Sequence, residues 1–483
     1  MRSEWQRGMV DLKRKSVVVI VCMLVVLGWY HQAQASSGDP PEPVVLFEYT
    51  KPFETSWALG QPVMVPNPDG RLHLFWTVTP IEDTAVYYME LDDGVWSDPV
   101  DILLGPNVNA PNAYVSVVLD SKGFLHLIWR NGSLYYSYAR ADSAGNPHAW
   151  ATPIEIVSGV VDSRLFIDAN NKLHIVYTRS TDVTTLSYIY CDSAACNWTT
   201  PIGIATTVQG EAIRYPYLWI SPAGVLHAVW GQVELPDGWP PTGVYYARSL
   251  DQGDTWSVPI QLGGEGQGNP AIVGLGEDEL HLVWLATQPG RYHTRSLDGG
   301  VTWAPPEEFT PVYGGLIVGH VNLSIDSAQQ IHLFVEGSAM PMHSVWDGWQ
   351  WSPFEPIGQG ESAMAAITQG NIIHFAWLNP ATLHYTAKMI PNAPAIAPVL
   401  RPESEQAAKM EETLFVGTPQ PLQSEPAPSL LPSTAASEFS SSSSSSSSSL
   451  HPIIPLLFSA GSAGLIVGIV LWIYGSRRKG LEG

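Results

Sequence analysis

Four arginines in this sequence stand where a guanidinium could help to bind a carboxylated ligand. Arg130, Arg179 and Arg291 each follow a short apolar run that is typical of a β-strand, and Arg214 lies in the tetrapeptide Ile213-Arg214-Tyr215-Pro216. A guanidinium binds a carboxylate through two parallel N–H donors, so a cluster of these side chains beside Tyr215 would suit such a ligand. The alternative is that they are ordinary surface arginines.

One long loop, residues 231–243, is the most distinctive connection in the chain. It contains Glu234, Asp237 and Trp239 together with three prolines. A tryptophan beside carboxylates suits stacking on a sugar ring. Loops that a rigid scaffold holds in place carry function in many proteins, whereas a packed or merely solvated loop is the alternative interpretation.

A repeated five-residue pattern predicts the strands that must position these residues. The pattern is an apolar residue, a histidine, a second apolar residue, any residue and an aromatic residue. The pattern is complete at 72–76, 125–129 and 173–177. Its seven histidines, spaced 42 to 54 residues apart, are His73, His126, His174, His227, His281, His332 and His374. A repeat of this period indicates a propeller or a solenoid.

Each repeat contains four short strand-like segments, which is typical of a propeller blade. The fold class is therefore all-β, with a single β-propeller over 44–390, seven four-stranded blades, and six as the alternative count. The last repeat ends one strand short at 383–386, while an unassigned strand-like segment, 44–49, precedes the first repeat. We expect the two to join, because closing the ring removes open strand edges.

The two ends of the chain have compositions that do not suit a folded core. Residues 1–35 predict a cleaved signal peptide, residues 36–43 a linker and residues 391–450, rich in proline and serine, a disordered stalk. The uncharged stretch within 451–475 predicts a transmembrane helix, and the basic tail 476–483 follows it. The predicted location is the cell membrane, with a single span, an extracellular propeller and a cytoplasmic tail.

Two segments share the pattern S-x-D-x-G-x-T-W, which is similar to the Asp-box of sialidase-like β-propellers. The residues that match are Ser249, Asp251, Gly253 and Trp256 in one repeat, and Ser296, Asp298, Gly300 and Trp303 in the next. The resemblance covers roughly residues 44–390 and implies a hairpin between the third and fourth strands. In that hairpin the aspartate accepts turn N–H groups, the glycine supplies a positive φ, and the tryptophan packs between blades.

The same resemblance raises the question of catalysis. A sialidase needs three arginines that hold the substrate carboxylate, a tyrosine nucleophile activated by a glutamate, and an aspartate as acid and base. The first arginine normally lies in an F/Y-R-I-P motif, but the corresponding segment here is Leu59-Gly60-Gln61-Pro62, and the arginine is missing. Arg214 followed two residues later by Pro216 is a partial match to that motif in the fourth repeat.

The histidines and cysteines are expected to have structural roles. Equivalent residues on the second strand of each blade lie too far apart to share an ion through bonds of about 2 Å, so we predict no metal site and no cofactor. Packed, hydrogen-bonded histidines are the expectation. Cys191 and Cys196 are close in sequence, and in an oxidising compartment they most simply form one disulfide across a hairpin.

The charge balance limits the partners. The formal net charge is −22, which disfavours nucleic acid, so no nucleic-acid partner is predicted. The sequence predicts a membrane-anchored recognition propeller for a glycan or an extracellular protein ligand. The alternatives are a divergent exo-α-sialidase and a passive surface or adhesion protein. No oligomeric state follows from the sequence.

Overall fold

A computed structural model gives the structure of most of the predicted propeller. It describes residues 42–49, 59–78, 85–105, 113–192, 197–236, 238, 240–287, 290–309, 321–335, 340–379 and 381–399. Within these ranges the secondary structure is β-strand, apart from two single-turn 3-10 helices at 141–143 and 147–149. All the described residues belong to one compact unit of the chain.

The strands of the first four sheets follow one another along the chain, and each pairs antiparallel with the strand before it, except that in sheet one both β5 and β6 pair with β4. Sheet one contains β2 (Val63–Pro66), β3 (Leu72–Thr77), β4 (Ala85–Asp92), β5 (Val95–Trp96) and β6 (Val100–Leu104). Sheet two contains β7 (Ala113–Leu119), β8 (Phe124–Asn131), β9 (Ser133–Arg140) and β10 (Ile154–Ser158). Sheet three contains β11 (Val160–Ile167), β12 (Leu173–Arg179), β13 (Asp182–Cys191) and β14 (Ile202–Thr206). Sheet four contains β15 (Glu211–Ile220), β16 (Leu226–Glu234), β17 (Pro241–Ser249) and β18 (Ile260–Gly263).

The remaining sheets repeat the same order, except that the last one takes its fourth strand from the other end of the chain. Sheet five contains β19 (Gln267–Gly274), β20 (Leu280–Ala286), β21 (Arg291–Ser296) and β22 (Glu307–Phe309). Sheet six contains β23 (Val321–Ile325), β24 (Ile331–Val335), β25 (Met342–Trp346) and β26 (Glu355–Pro356). Sheet seven contains β27 (Glu361–Thr368), β28 (Ile372–Asn379), β29 (Thr382–Met389) and β1 (Val44–Glu48).

The predicted closure of the ring is confirmed. Strand β1 pairs antiparallel with β29, with Val44 opposite Tyr385 and Glu48 opposite Thr382. The first strands of neighbouring sheets contact one another around the whole circle, from β2 through β7, β11, β15, β19 and β23 to β27 and back to β2. The protein is therefore a seven-bladed β-propeller, and the alternative count of six blades is wrong.

The strand order defines two faces of the ring. The tight turns between first and second strands, together with the hairpins between third and fourth strands, lie at one end of the strands, which we call the turn face. The connections between second and third strands, and those between successive sheets, lie at the other end, which we call the loop face. The first strand of each sheet is the innermost one, and it begins at the loop face.

A hydrogen-bonded pair of rings recurs in the core of every sheet. In each case Nδ1 of the second-strand histidine bonds to a tyrosine hydroxyl or a histidine ring nitrogen on the third strand. The pairs are His73–Tyr88 (2.8 Å), His126–Tyr136 (2.8 Å), His174–Tyr188 (2.6 Å), His227–Tyr246 (2.8 Å), His281–His293 (2.9 Å), His332–His343 (3.0 Å) and His374–Tyr385 (2.8 Å). The prediction of packed, hydrogen-bonded histidines is confirmed.

Burial determines the protonation state of these rings. It lowers the pKa of His73 to about 3, and those of His174, His227 and His374 to about 4. The cause is the free-energy penalty for placing a charged imidazolium away from water. The core histidines are therefore neutral at neutral pH and act as ordinary hydrogen-bonding rings.

The two S-x-D-x-G-x-T-W hairpins have the hydrogen bonds that the resemblance implied. In the first, the carboxylate of Asp251 accepts from Thr255 N (2.9 Å) and from the Ser249 hydroxyl (2.7 Å). The Ser249 hydroxyl in turn accepts from Gly253 N at 2.8 Å. The same bonds recur around Asp298 in the second hairpin.

Each of these hairpins rests on the ring pair of the preceding sheet. Gly253 has a φ of +100°, and a Cβ placed there would lie 2.2 Å from the ring of Tyr188. The ring of Trp256 packs edge-on against that same tyrosine, with centroids 5.6 Å apart. Gly300 and Trp303 contact Tyr246 in the same way, so a glycine is required where one sheet contacts the next.

Some predicted features lie wholly or partly outside the described residues. Cys191 ends β13 and is buried, but Cys196 is not described, so their pairing stays a prediction. No helix in the described ranges is long and apolar enough to cross a membrane. The signal peptide at 1–35 and the span at 451–475 are not described, and both stay predictions.

The glycine contact between sheets predicts unequal effects of one substitution at two positions. Gly253 and Gly348 have nearly the same φ, +100° and +101°, but no atom lies within 4 Å of a Cβ built at Gly348. Both alanine variants carry the penalty of a left-handed conformation. Only Gly253→Ala also overlaps a ring, so it should lower the free energy of unfolding by about 1–3 kcal/mol more than Gly348→Ala. Urea unfolding of both variants tests this, and equal losses would contradict it.

The neutral core histidines predict acid sensitivity with a defined sign. The folded-state pKa of His227 is about 4, below the value of 6.5 for an unperturbed histidine. Its contribution to stability is therefore complete above pH 6.5 and is lost as the pH falls from 6.5 towards 4. Within that window, the unfolding free energy should rise with pH by up to about 1.4 kcal/mol per pH unit for this one group.

The measurement is urea unfolding of the wild type, His227→Gln and His148→Gln at several pH values from about 4.5 to about 7, which spans the titration of the folded and unfolded histidine. His148 is exposed, in a 3-10 turn, and serves as the matched control. His227→Gln should flatten the pH dependence relative to the control. Identical slopes in the two variants would contradict the account.

Candidate functional site

The innermost strands depart from regular pairing where they begin, at the loop face. The register with the second strand shifts between Ala113 and Val115 in β7, and between Arg214 and Tyr217 in β15. Comparable shifts occur at the start of β11, β19 and β27. Such bulges change the direction in which a side chain points, and they are common beside functional sites.

Six described residues with polar side chains occupy equivalent positions in their repeats, five at these irregular strand starts and one, Gln61, two residues before the regular strand β2. We call them the mouth ring: Gln61, Tyr114, Asp162, Tyr215, Asn269 and Ser362. Four have left-handed backbones, with φ of 52° at Tyr114, 53° at Tyr215, 55° at Asn269 and 52° at Ser362. Non-glycine residues adopt this conformation only at a cost, and such strain is concentrated at functional sites.

Tyr114 is the most exposed member of the mouth ring, and Arg130 packs against it. The Tyr114 side chain is 49% exposed, and the guanidinium carbon of Arg130 lies 5.1 Å from the centre of its ring. Arg130 Nη1 also donates a hydrogen bond to the carbonyl of Val161 in the next sheet. The arginine is thereby held against one face of an aromatic ring, an arrangement that the ring quadrupole favours.

Asp162 and Tyr215 continue the mouth ring into sheets three and four. The amide of Tyr215 donates to a carboxylate oxygen of Asp162 at 3.4 Å. Burial, followed by the charges of Asp162 and Tyr114, raises the pKa of Tyr215 to about 12. Tyr114, Asp162 and Tyr215 therefore converge from three successive sheets, and the Tyr215 phenol stays protonated at neutral pH.

Two further arginines stand beside this group. Arg214 precedes Tyr215, and its Nη1 donates to the carbonyl of Ile213 at 3.1 Å. Arg164 lies two residues beyond Asp162 on β11, with its guanidinium carbon 5.3 Å from the ring centre of Tyr217. Sequence analysis identified Arg214 and Arg130 but not Arg164.

The other two predicted arginines have different environments. Arg179 ends β12, and its Nη2 donates to the hydroxyl of Ser158, the last residue of β10, at 3.5 Å. Arg291, at the start of β21, is 0% exposed, so a ligand in solvent cannot reach its side chain in this conformation. A ligand in solvent therefore cannot reach all four arginines, and a smaller group that contains Arg130 and Arg214 stays a prediction.

The long loop 231–243 is only partly described. Residues 231–234 are the end of β16, where Glu234 is exposed and pairs across the sheet with Glu211. Asp237 and Trp239 lie outside the described residues, and their predicted role in binding stays a prediction. The structure therefore places Glu234, and the predicted arrangement of a tryptophan beside carboxylates stays a prediction.

Sequence analysis missed five of the six mouth-ring residues, although a signal for them exists. Each of the six precedes the histidine of its own repeat by twelve residues, as Tyr114 precedes His126 and Asn269 precedes His281. In the sixth repeat His320 stands at the same spacing before His332, but it lies outside the described residues. The signal is the fixed spacing between a polar residue and the histidine of its repeat, and no motif accompanies it.

The mouth ring combines all the kinds of hydrogen-bonding group that a polyhydroxylated ligand needs. Among its members an ionised aspartate only accepts, while tyrosine, asparagine, glutamine and serine both donate and accept, and the neighbouring Arg130 only donates. Because each sugar hydroxyl is at once a donor and an acceptor, such a mixture can satisfy several hydroxyls together. The exposed ring of Tyr114 adds an apolar surface with a polar tip.

Comparison with known proteins gives no relative in sequence. No protein-family model matches the chain, and no curated protein matches it. Among solved structures, the polysaccharide lyase Uly1 aligns with 11% identity over 74% of this chain and 95% of its own, with a TM-score of 0.47. The Hadza microbial sialidase Hz136 aligns with 13% identity over 70% of this chain and 66% of its own, with a TM-score of 0.41.

A lectin is also among the similar structures. A point mutant of the Aleuria aurantia lectin, in complex with alpha-methyl-L-fucoside, has 12% identity over 64% of this chain and 96% of its own, with a TM-score of 0.42. At these identities and TM-scores, similarity supports no conclusion about binding or activity. The seven closed sheets themselves establish the architecture of this chain as a seven-bladed β-propeller.

Proposed function

We propose that this propeller is a recognition module that binds a glycan at its loop face, across the mouth ring. The observation that carries the proposal is the convergence of Tyr114, Asp162 and Tyr215 from three successive sheets, with Arg130 held against the Tyr114 ring. Binding residues placed on irregular segments at the end of a rigid scaffold are common in proteins. The polar mixture and the exposed aromatic ring favour a sugar over a purely apolar ligand.

The same geometry favours binding over hydrolysis. A sialidase nucleophile must lose its phenolic proton, whereas burial and neighbouring negative charge raise the pKa of Tyr215 to about 12. Of the four predicted arginines, Arg179 donates a hydrogen bond to Ser158, and the side chain of Arg291 is buried. The divergent sialidase therefore remains the alternative, and no observation favours the passive adhesion protein.

Glycan binding predicts a loss of affinity on two changes at the mouth ring. Tyr114→Asn removes the aromatic ring but keeps a residue that tolerates a left-handed backbone, and Asp162→Asn removes a negative acceptor. Each should weaken binding of a glycan identified on an array by about tenfold or more, which corresponds to about 1.4 kcal/mol. Isothermal titration calorimetry on the full chain measures this.

The matched control is Asp254→Asn, the same chemical change at an exposed residue of the turn face. It should leave the affinity unchanged. Binding to no glycan on the array, or binding that neither mouth variant weakens, would refute the proposal. Hydrolysis of a fluorogenic sialoside that Arg214→Ala abolishes would replace it with the glycosidase alternative.

The location proposed for the protein is the cell membrane, and the support for it comes from the sequence. The uncharged stretch in 451–475 is followed by Arg477, Arg478 and Lys479, which is typical of a span that ends in the cytoplasm. The glycan-binding proposal does not depend on this location.

Membrane anchoring predicts the behaviour of the expressed protein in fractionation. The full chain should sediment with membranes, resist extraction by carbonate and dissolve in detergent, and its mature form should begin at Ser36. A chain that stops after Leu450 should appear in the medium. Recovery of the full chain in the soluble fraction would contradict the prediction.

A further inference from the structure

The chain does not leave the propeller at the end of its last strand. Beyond β29, residues 390–399 continue without regular secondary structure and lie against the turn face. Sequence analysis placed the end of the propeller at 390, with a disordered stalk from 391. The structure therefore extends the propeller-bound chain nine residues further, to 399.

This segment contacts the tight turns of three sheets in succession. In sheet six, the hydroxyl of Ser327 donates to the carbonyl of Pro394. In sheet seven, Ile396 N donates to the carbonyl of Gln369 at 2.8 Å. In sheet one, Val399 N donates to the carbonyl of Pro68 at 2.8 Å. The segment thus crosses from the last sheets to the first.

Apolar contacts fix the near end of the segment more firmly than its far end. Ile390 and Ala393 are 6% and 9% exposed and belong to the core cluster around Phe334 and Phe375. The amide of Ile390 donates to the carbonyl of Asn371 at 2.7 Å. Ala395, two residues further on, is exposed, so docking depends on particular positions and not on the whole run of small residues.

The place where the segment crosses is the seam of the ring. Sheet seven consists of β27, β28 and β29 from one end of the propeller and β1 from the other, so β1 is the strand that closes the circle. That strand has only five residues, its register shifts between Val45 and Phe47, and Val44 and Val45 are about half exposed. Short, exposed strands open locally at low free-energy cost.

We propose that residues 390–399 form a seam clamp, a second closure that holds sheet seven to sheet one in parallel with β1. Opening of the ring at this seam then requires the clamp to detach, in addition to the loss of β1 and of the packing of β27 against β2. Strand β1 joins the seam through the outer edge of sheet seven, and the clamp joins it through the turn face. The last described residue of the clamp, Val399, lies on the turn face, opposite the mouth ring. The proposal is independent of any ligand.

The test compares one substitution at two positions of the clamp in the full chain. Ala393→Glu places a carboxylate in an apolar site, and detachment of the clamp costs less than burial of the charge. Ala395→Glu makes the same change at an exposed position. In hydrogen exchange followed by mass spectrometry, Ala393→Glu should speed exchange in the β1 peptide, residues 42–49, by about tenfold or more, and Ala395→Glu should not.

Peptides from β16 and β17, on the far side of the ring, report on general destabilisation. Faster exchange in the clamp without faster exchange in β1 would overturn the proposal, and so would equal acceleration in all sheets.

Ser327→Ala removes a single hydrogen bond to the clamp and keeps the test valid if Ala393→Glu does not fold. It should speed β1 exchange by about fivefold, because one hydrogen bond contributes about 1 kcal/mol to stability. An unchanged rate in this variant would also overturn the proposal.

Discussion

The hydrogen bond between a buried second-strand histidine and a third-strand ring is the interaction on which the rest of this structure depends. It fixes the register of the two central strands in each sheet, because His174 can reach the Tyr188 hydroxyl only in one alignment. It also holds that tyrosine in place for the next sheet, where Gly253 lies against its ring and the carbonyl of Gln252 accepts from its hydroxyl at 3.2 Å. Burial keeps this histidine neutral at neutral pH by lowering its pKa.

The mouth ring is a consequence of this regular packing. Because the register is fixed from the histidine outward, a residue twelve positions earlier lies at or just before the start of the innermost strand in six sheets of the described part of the chain, and in five of them the pairing is irregular there. The scaffold can therefore vary the chemistry of each position, from Gln61 to Ser362, without a change in the packing beneath it. The turn face, by contrast, is occupied by structural contacts, which include the Asp251 hairpin and the seam clamp.

Much of the fold could be predicted from the sequence because its markers are periodic. The histidine repeat gave the number of sheets, and the surplus strand before the first repeat gave the closure by β1. The burial of Arg291 could not be predicted, because position in a repeat does not show what covers a side chain. The seam clamp was missed for a related reason. Its proline- and alanine-rich composition is typical of a linker, and its hydrogen bonds come largely from backbone amides, which leave no pattern in sequence.

The mouth ring was missed because no motif marks it, and only Tyr215 was noticed, through its neighbour Arg214. The most direct test of the central claim, that this ring is the ligand site, is a crystal structure of the chain with a glycan selected on an array. If this claim is correct, sugar density lies at the loop face, against the ring of Tyr114 and within hydrogen-bonding distance of Asp162. Density only on the turn face or on the outer strands would contradict it.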